Sequence, residues 1–276
     1  MHVESPTAGQ VGFEPPAVDK SRRAVRSMFG AIAHRYDFLN HALSLGIDRA
    51  WRKVTIRRVP PVPGLPILDC CTGTGDLALG YHRVSEGRSD VIGADFCRPM
   101  LERAARKARA RGINRGFALV EADALRLPWR DETFGVVSIA FGIRNVADTA
   151  RGIRELARVL KPGGRLAILE FSKPRPGPMR SVYLAFFRHV LPRVGQTIAP
   201  NRQNAYSYLP ASVMTFPEGE EMCGLIERCG LVEVSATPLT LGIATLYVGT
   251  KPPVPSGSSS HDSRSCLTAQ PLREPR

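Results

Sequence analysis

Residues Ile67-Leu68-Asp69-Cys70-Cys71-Thr72-Gly73-Thr74-Gly75-Asp76-Leu77-Ala78 join a short apolar run to a glycine turn and the start of a helix. Gly73 and Gly75 carry no Cβ, so a nucleotide-like ligand can come close to the backbone there. Read literally, Gly73-x-Gly75-x-x-Ala78 is also a dinucleotide fingerprint, with Asp95 about twenty residues on as the ribose acceptor. The charges speak against a dinucleotide. Asp69 ends the strand and Asp76 falls in the first helical turn, where a pyrophosphate needs N–H groups and no competing anion. A cofactor with a ribose and an adenine but no phosphate tolerates those carboxylates, and a cationic one is attracted by them. S-adenosylmethionine, with its sulfonium and α-ammonium groups, meets both conditions.

Two further acidic positions fit the same ligand. Asp95 closes Val91-Ile92-Gly93-Ala94-Asp95, where a carboxylate can accept both ribose hydroxyls; the alternative is an N-cap for the helix that begins near Pro99. Glu121-Ala122-Asp123-Ala124 ends the next strand, and a carboxylate with a backbone N–H there can read an adenine amino group and a ring nitrogen. Phe141-Gly142-Ile143-Arg144-Asn145-Val146 follows the fourth strand and puts a guanidinium and an amide where a methyl group would be presented. The competing reading makes Asn145 a helix N-cap and Arg144 a surface charge.

The elements that must position these groups alternate along the chain. Strands are predicted at Ile67–Asp69, Val91–Asp95, Phe117–Glu121, Val136–Phe141 and Leu166–Phe171, with helices beginning near Leu77, Pro99 and Ala147. That rhythm implies a parallel sheet covered on both faces, whose ligand sits at the carboxyl ends of the strands. Val232–Ala236 and Ala244–Thr250 are separated by a short loop around Pro238 and Gly242, too little for a helical crossover, so they should pair antiparallel. Arg158-Val159-Leu160-Lys161-Pro162-Gly163-Gly164 reads as a helix stop and a turn into the fifth strand. The expected fold class is α/β, a Rossmann-like, mostly parallel seven-stranded sheet with a C-terminal antiparallel hairpin.

Around that sheet, residues 1–19 read as a disordered lead and 252–276 as a disordered Pro/Ser/Gly tail, leaving 20–251 as the folded domain. Within it, 20–60 is a helical segment ahead of the sheet, and 173–218 interrupts the alternation with aromatics and prolines. Both are placed to cap the ligand edge, as a lid and an acceptor-site insertion.

Lys and Arg outnumber Asp and Glu by 38 to 25, a formal charge of +13. Such a balance attracts polyanions or anionic membrane surfaces, but Arg98, Arg103, Arg106, Lys107, Arg109 and Arg111 alternate with apolar residues at helical spacing and fit a solvated outer face. The six cysteines form no CxxC pair and no zinc-like spacing with histidine, so no metal site is expected, and reduced thiols in a cytoplasmic protein fit best. Tyr183, Leu184, Phe186, Phe187, Val190 and Leu191, interleaved with Arg180, Arg188 and Arg193, make a basic amphipathic stretch suited to peripheral contact with the inner face of a membrane. An ordinary packed helix with snorkelling arginines is the alternative.

From about Met28 to Lys251 the chain resembles the menaquinone/ubiquinone biosynthesis C-methyltransferases. The marks are Tyr36-Asp37-Phe38-Leu39-Asn40, Ser44-Leu45-Gly46 through Trp51, the Thr72–Asp76 turn, Phe141–Val146, Leu169-Glu170-Phe171-Ser172-Lys173-Pro174 and Tyr206-Ser207-Tyr208-Leu209-Pro210. The resemblance implies cofactor contacts at Thr74, Asp95, Asp123 and Ala124, beside Asp69, Gly73 and Gly75 of the turn. It also implies C-methylation of a polyprenylated hydroquinone, either demethylmenaquinol or 2-methoxy-6-polyprenyl-1,4-benzoquinol, with Arg144 at the catalytic position. Asn145 would share the orienting role, Tyr36 would close over the methyl group and Asp37 would fix the lid or its water. Two departures stand out: Asp48 where the family often has histidine, expected to touch only helix packing, and Ala140 where many members present a serine, so any cofactor contact there must use backbone.

Other classes predict features that are missing. A nucleic-acid methyltransferase calls for an Asn/Asp-Pro-Pro-aromatic tetrad or a cysteine beside the fourth strand, and Phe-Gly-Ile-Arg-Asn stands there. A Mg²⁺-dependent O-methyltransferase needs clustered carboxylates. A non-catalytic scaffold of a quinone-synthesis assembly would have no need for an intact cofactor set. A homodimer is compatible with the sequence.

Overall fold

The computed structural model describes residues 19–35, 46–174 and 205–253. Tyr36, Asp37, the Tyr183–Arg193 stretch, most of the 173–218 insertion, and nearly all of the lead and the tail lie outside the described residues. In chain order the helices are α1 (Arg22–Ile32), α2 (Ile47–Arg58), α3 (Asp76–Ser85), α4 (Arg98–Ala110), α5 (Thr149–Val159), α6 (Ala205–Thr215) and α7 (Glu220–Arg228). The strands are β1 (Ile67–Cys70), β2 (Val91–Asp95), β3 (Phe117–Glu121), β4 (Phe134–Ala140), β5 (Leu160–Phe171), β6 (Val232–Leu239) and β7 (Ala244–Thr250). They form one seven-stranded sheet in the order β3-β2-β1-β4-β5-β7-β6. β7 runs antiparallel to both of its neighbours, and the pairs from β3 to β5 are parallel.

Alternation along the strands builds two apolar layers. Leu68, Val137, Ile139 and Ile168 face Ile153 and Leu156 of α5. Their strand neighbours Ile67, Val136, Ala167 and Leu169 face Trp51 and Ile56 of α2 and Leu77 and Tyr81 of α3. All four residues of β1 are buried, as a central strand covered on both sides requires. Each fully buried Leu or Ile contributes about 1.5–3 kcal/mol relative to exposure.

Strand order reverses between β1 and β4, which makes that junction the crevice of the sheet. Register brings the chemistry level with it. Asp69 lies between Gly93 and Ser138, and Asp95 is opposite Glu121.

Two local expectations need correction. α5 passes into β5 at Leu160 without an intervening turn, and Lys161–Gly164 lies inside the strand, with a register shift against β4 between Phe134 and Val136. The Pro-Gly-Gly residues therefore make an irregularity, since β5 starts early enough to pair Phe134 with Leu160. Pro238 likewise sits in β6 opposite Thr245, where an edge strand tolerates a missing N–H, and the hairpin turns at Thr240–Gly242.

Candidate active site

The carboxyl ends of β1, β2 and β4 open onto a cavity of about 730 Å³ including its mouth. Its walls include Gly73, Asp95, Asp123, Ala124, Ala140, Phe141, Gly142 and Asn145, and α1 covers it with Val25 and Phe29. Six of the predicted site residues therefore meet at one place: Gly73, Asp95, Asp123, Ala124, Ala140 and Asn145.

Asp95 is fixed before any ligand arrives. Its Oδ2 accepts from the Gly73 N–H at 2.9 Å and its Oδ1 from the Cys97 N–H at 2.8 Å. The N-cap of α4 is Cys97, so Asp95 stands two residues before the helix, holds the cap's own N–H and lines the cavity. Burial pushes its pKa up to about 6, against the pull of those backbone N–H groups. Asp123 accepts from the Leu125 N–H at 3.0 Å and lies 3.4 Å from Arg22 of α1.

Four turn residues make contacts within the protein. Asp69 is 1% exposed, and each of its oxygens accepts one hydrogen bond, from Thr72 Oγ1 at 2.6 Å and from Ser138 Oγ at 2.8 Å. It lies outside the cavity wall and ties β1, the turn and β4 together. Thr74 is buried and accepts from Lys107 Nζ at 3.1 Å. Lys107 also pairs with Asp76, so the second acid of the turn is neutralised from α4. Asp95 and Asp123 line the cavity, and Asp69 and Asp76 do not. Gly75 has φ +83°, and a Cβ there would lie 3.0 Å from Ala104 Cβ, so this glycine serves helix packing.

At the far wall, Phe141 takes φ +57° and Gly142 packs so tightly that a Cβ would lie 2.4 Å from Cys71 Cβ. Phe141 stacks on Phe171 at 4.5 Å and on Trp51 at 5.9 Å between centroids. Arg52 lies over the same ring at 5.4 Å while donating to the buried Asp48 at 2.5 Å. Asp48 therefore reaches the cavity wall through Arg52, beyond the helix packing expected of it.

Arg144 is 5% exposed, which removes the surface-charge reading, and Asp148, not Asn145, caps α5. Its Nη1 donates to Glu170 Oε1 at 2.5 Å and to the Phe141 carbonyl at 2.7 Å. Arg144 Nε and Asn145 Oδ1 are buried with no hydrogen-bond partner among the described residues. A buried donor and a buried acceptor left open on adjacent residues are costly unless a ligand completes them.

Lys20, Glu170 and Tyr208 were not singled out as functional residues by sequence reasoning. Glu170 and Tyr208 stand inside quoted marks, and Lys20 carries no local signal at all.

The residues present fit S-adenosylmethionine. A buried, anchored carboxylate keeps lone pairs toward a Cβ-free glycine, a second carboxylate stands one strand along, and the facing wall is aromatic and amide. Among the described residues no group of three or more His, Cys, Asp or Glu side chains is arranged to hold a metal ion. No described helix is long and apolar enough to cross a membrane.

Residues 17–251 match the model of the ubiE/COQ5 methyltransferase family. A demethylmenaquinone methyltransferase of Deinococcus radiodurans is 43% identical over 239 residues, covering 86% of this chain and 97% of that one. One of the same name from Thermus thermophilus is 46% identical over 82% of this chain and all of its own. A ubiquinone/menaquinone biosynthesis C-methyltransferase UbiE of Proteus mirabilis is 38% identical over 91% of this chain and all of its own. Among solved structures, a protein of Methanococcus maripaludis described as an S-adenosyl-L-methionine-dependent methyltransferase superposes with TM-score 0.58 at 16% identity, covering 82% of this chain and 95% of that one. The [4+2]-cyclase SpnF gives 0.56 at 18% identity, covering 87% and 99%. At those identities the structural matches speak for the fold.

Proposed function

The chain belongs to the ubiE/COQ5 methyltransferase family, and from that premise we propose that it methylates a ring carbon of a polyprenylated hydroquinone, with demethylmenaquinol as the acceptor. The names of the Deinococcus and Thermus relatives support that acceptor; the Proteus name keeps 2-methoxy-6-polyprenyl-1,4-benzoquinol as the second one to assay.

Asp95 accepts the ribose hydroxyls on the lone pairs its two backbone donors leave open, and Asp123 with the Ala124 N–H reads the adenine edge. At Ala140 the contact is backbone, since no hydroxyl is present. Asp69, Thr74 and Gly75 hold the turn in shape from behind. When bound, S-adenosylmethionine supplies an electrophilic methyl group, whose bonding electron pair returns to sulfur as the new C–C bond forms.

A ring carbon becomes nucleophilic when the neighbouring oxygen is deprotonated or strongly hydrogen-bonded, and it must afterwards lose its proton to restore aromaticity. Arg144 Nε donates toward that oxygen and Asn145 Oδ1 accepts from a ring hydroxyl or an intervening water. Glu170 fixes the guanidinium, so the alignment exists before the acceptor binds. Helices α1 and α2 act as the lid, with Tyr36 and Asp37, outside the described residues, assigned to its closure. The basic amphipathic stretch at Tyr183–Arg193 delivers the tail from the membrane surface; liposome flotation of the chain with and without it checks that assignment.

The observation that carries the reading is the unpartnered Asn145 Oδ1 on the wall of the cavity that also holds the anchored Asp95, with the unpartnered Arg144 Nε on the residue before it, behind that wall. Steady-state kinetics of Arg144→Ala, with calorimetry of S-adenosylhomocysteine alongside, tests it. Turnover should fall at least about a hundredfold with donor affinity kept; near-normal turnover removes Arg144 from the mechanism.

A further inference from the structure

We infer that Arg52, held by Asp48, is a positioning residue for the methyl transfer, acting through Phe141 to fix the Asn145 amide on the cavity wall. The inference rests on the role given above to Asn145 and extends it to a pair of residues on α2.

Asp48, Arg52, Phe141, Phe171, Arg144 and Glu170 form one continuous stack. Arg52 lies over the Phe141 ring and Arg144 over the Phe171 ring, each with its Cζ 5.4 Å from the centroid. The two rings are 4.5 Å apart. Each end closes on a buried carboxylate: Asp48 accepts from Arg52, and Glu170 from Arg144. Trp51 flanks both rings and stands edge-on to Phe171 at 6.0 Å. Its Nε1 donates to Thr240 Oγ1 at 2.8 Å, which fastens α2 to the hairpin turn. The Arg52 side chain is only 13% exposed, and a cation over an aromatic face is held more firmly when water is kept away.

Phe141 is where this stack meets the cavity. Its φ of +57° is a backbone conformation that a bulky residue keeps only when its surroundings hold it there. The ring is clamped by Arg52, Trp51 and Phe171, and the N–H donates to the Leu169 carbonyl at 2.8 Å. The Phe141 carbonyl then accepts from Asn145 Nδ2 at 3.3 Å and from Arg144 Nη1 at 2.7 Å. An amide nitrogen can only donate, so committing Nδ2 to this carbonyl leaves Oδ1 as the open atom of Asn145. Any rotation of the Phe141 peptide would carry that amide with it.

Asp48 and Arg52 are not among the described residues that line the cavity, so their effect on the reaction passes through a neighbour. Two routes lead from Arg52. One is the Phe141 ring. The other is Asp69, whose pKa burial raises and which Thr72, Ser138 and Arg52 pull back down. A loss felt through Asp69 would weaken β1 and its turn whatever stands at 145. A loss felt through Phe141 needs Asn145 to be present, and that difference can be measured.

The test is a double-variant cycle on the full chain, with S-adenosylmethionine and demethylmenaquinol, below the melting temperature of every variant. Arg52→Met keeps the bulk of the side chain and removes the cation. Its turnover number should fall about tenfold, with KM for the acceptor and S-adenosylhomocysteine affinity within about twofold of wild type. Arg52→Lys keeps a cation over the ring and should restore most of the loss. In an Asn145→Ala background, Arg52→Met should cost about threefold or less. Where the uncompensated Asp48 keeps Arg52→Met from folding, Asp48→Asn with Arg52→Met carries the same comparison. Normal turnover without the cation, no recovery in Arg52→Lys, or a tenfold loss that persists without Asn145 each overturns the inference while wild-type methylation stands. A wild type that does not methylate demethylmenaquinol overturns the hydroquinone reading instead, and normal turnover in Asn145→Ala overturns the role given to that amide together with this inference.

Discussion

Glu170 Oε1 accepts from Arg144 Nη1 at 2.5 Å, with the two side chains 1% and 6% exposed. Glu170 also accepts from the Phe171 N–H at 2.9 Å, so the guanidinium is held by a carboxylate that is itself held. Removing one partner leaves a buried charge uncompensated, which costs about 3–5 kcal/mol. Glu170→Gln should therefore lower both the melting temperature and turnover. The double variant Arg144→Met with Glu170→Leu should recover most of the stability and none of the activity. Thermal melts beside turnover numbers separate the two effects.

Gly142→Ala tests the far wall. Its new Cβ would meet Cys71 Cβ at 2.4 Å, and Cys71 already sits at φ +52°. Overpacking of this kind costs about 1–3 kcal/mol and shifts backbone. Affinity for S-adenosylhomocysteine should drop. Adding Cys71→Gly removes the clash and the positive-φ strain together, so the pair should bind better than Gly142→Ala alone.

Asp95 should make donor binding pH-dependent. Its folded pKa, about 6, lies above the ordinary value of 3.8, so the folded protein takes up this proton more readily than the unfolded chain. The group therefore favours the folded protein at low pH, and that contribution is lost as pH rises from 3.8 through about 6. A ribose needs the ionised form. Calorimetry should show S-adenosylhomocysteine affinity falling as pH drops through about 6. Asp95→Asn should bind about tenfold more weakly and flatten that dependence. Asp69 is also pushed up to about 6 by burial but lies outside the cavity, so Asp69→Asn should move stability more than the shape of the binding curve.

Helix α1 is tied to the end of β3 and the cavity wall after it by Arg26 to Glu121 at 2.6 Å and Arg22 to Asp123 at 3.4 Å. Both arginines are about half or more exposed, so each pair contributes at most about 1 kcal/mol and is screened by salt. Replacing both with alanine should leave the melting temperature within a few degrees and speed donor exchange in stopped-flow binding. The effect should shrink at high ionic strength.

The sheet was legible in the sequence because its central strands are short, apolar and bounded by turn residues. β2, β3 and β7 fall where the pattern puts them. β5 was read short because Pro162 and the glycines signal a turn, and a sequence cannot show that Leu160 finds Phe134 across the sheet. At the site, Asp95, Asp123 and Asn145 were legible as polar ends of apolar strands. The side chains of Asp69 and Thr74 are turned to partners within the protein for a physical reason. Whether a carboxylate faces a ligand or a neighbour depends on Ser138, 69 positions away, and on Lys107 from another helix. Lys20 joins the cavity through tertiary packing alone, which no local pattern records.

The central claim is that this cavity directs a donor methyl group onto carbon. Purified protein given S-adenosylmethionine labelled in its methyl group, with reduced demethylmenaquinone, measures it directly by the position of the label in the product. The account predicts label on the quinone ring carbon, abolished in Asp95→Ala and in Arg144→Ala. Label on a ring oxygen, or none on either quinol while the protein takes up a nicotinamide coenzyme tightly, would contradict it.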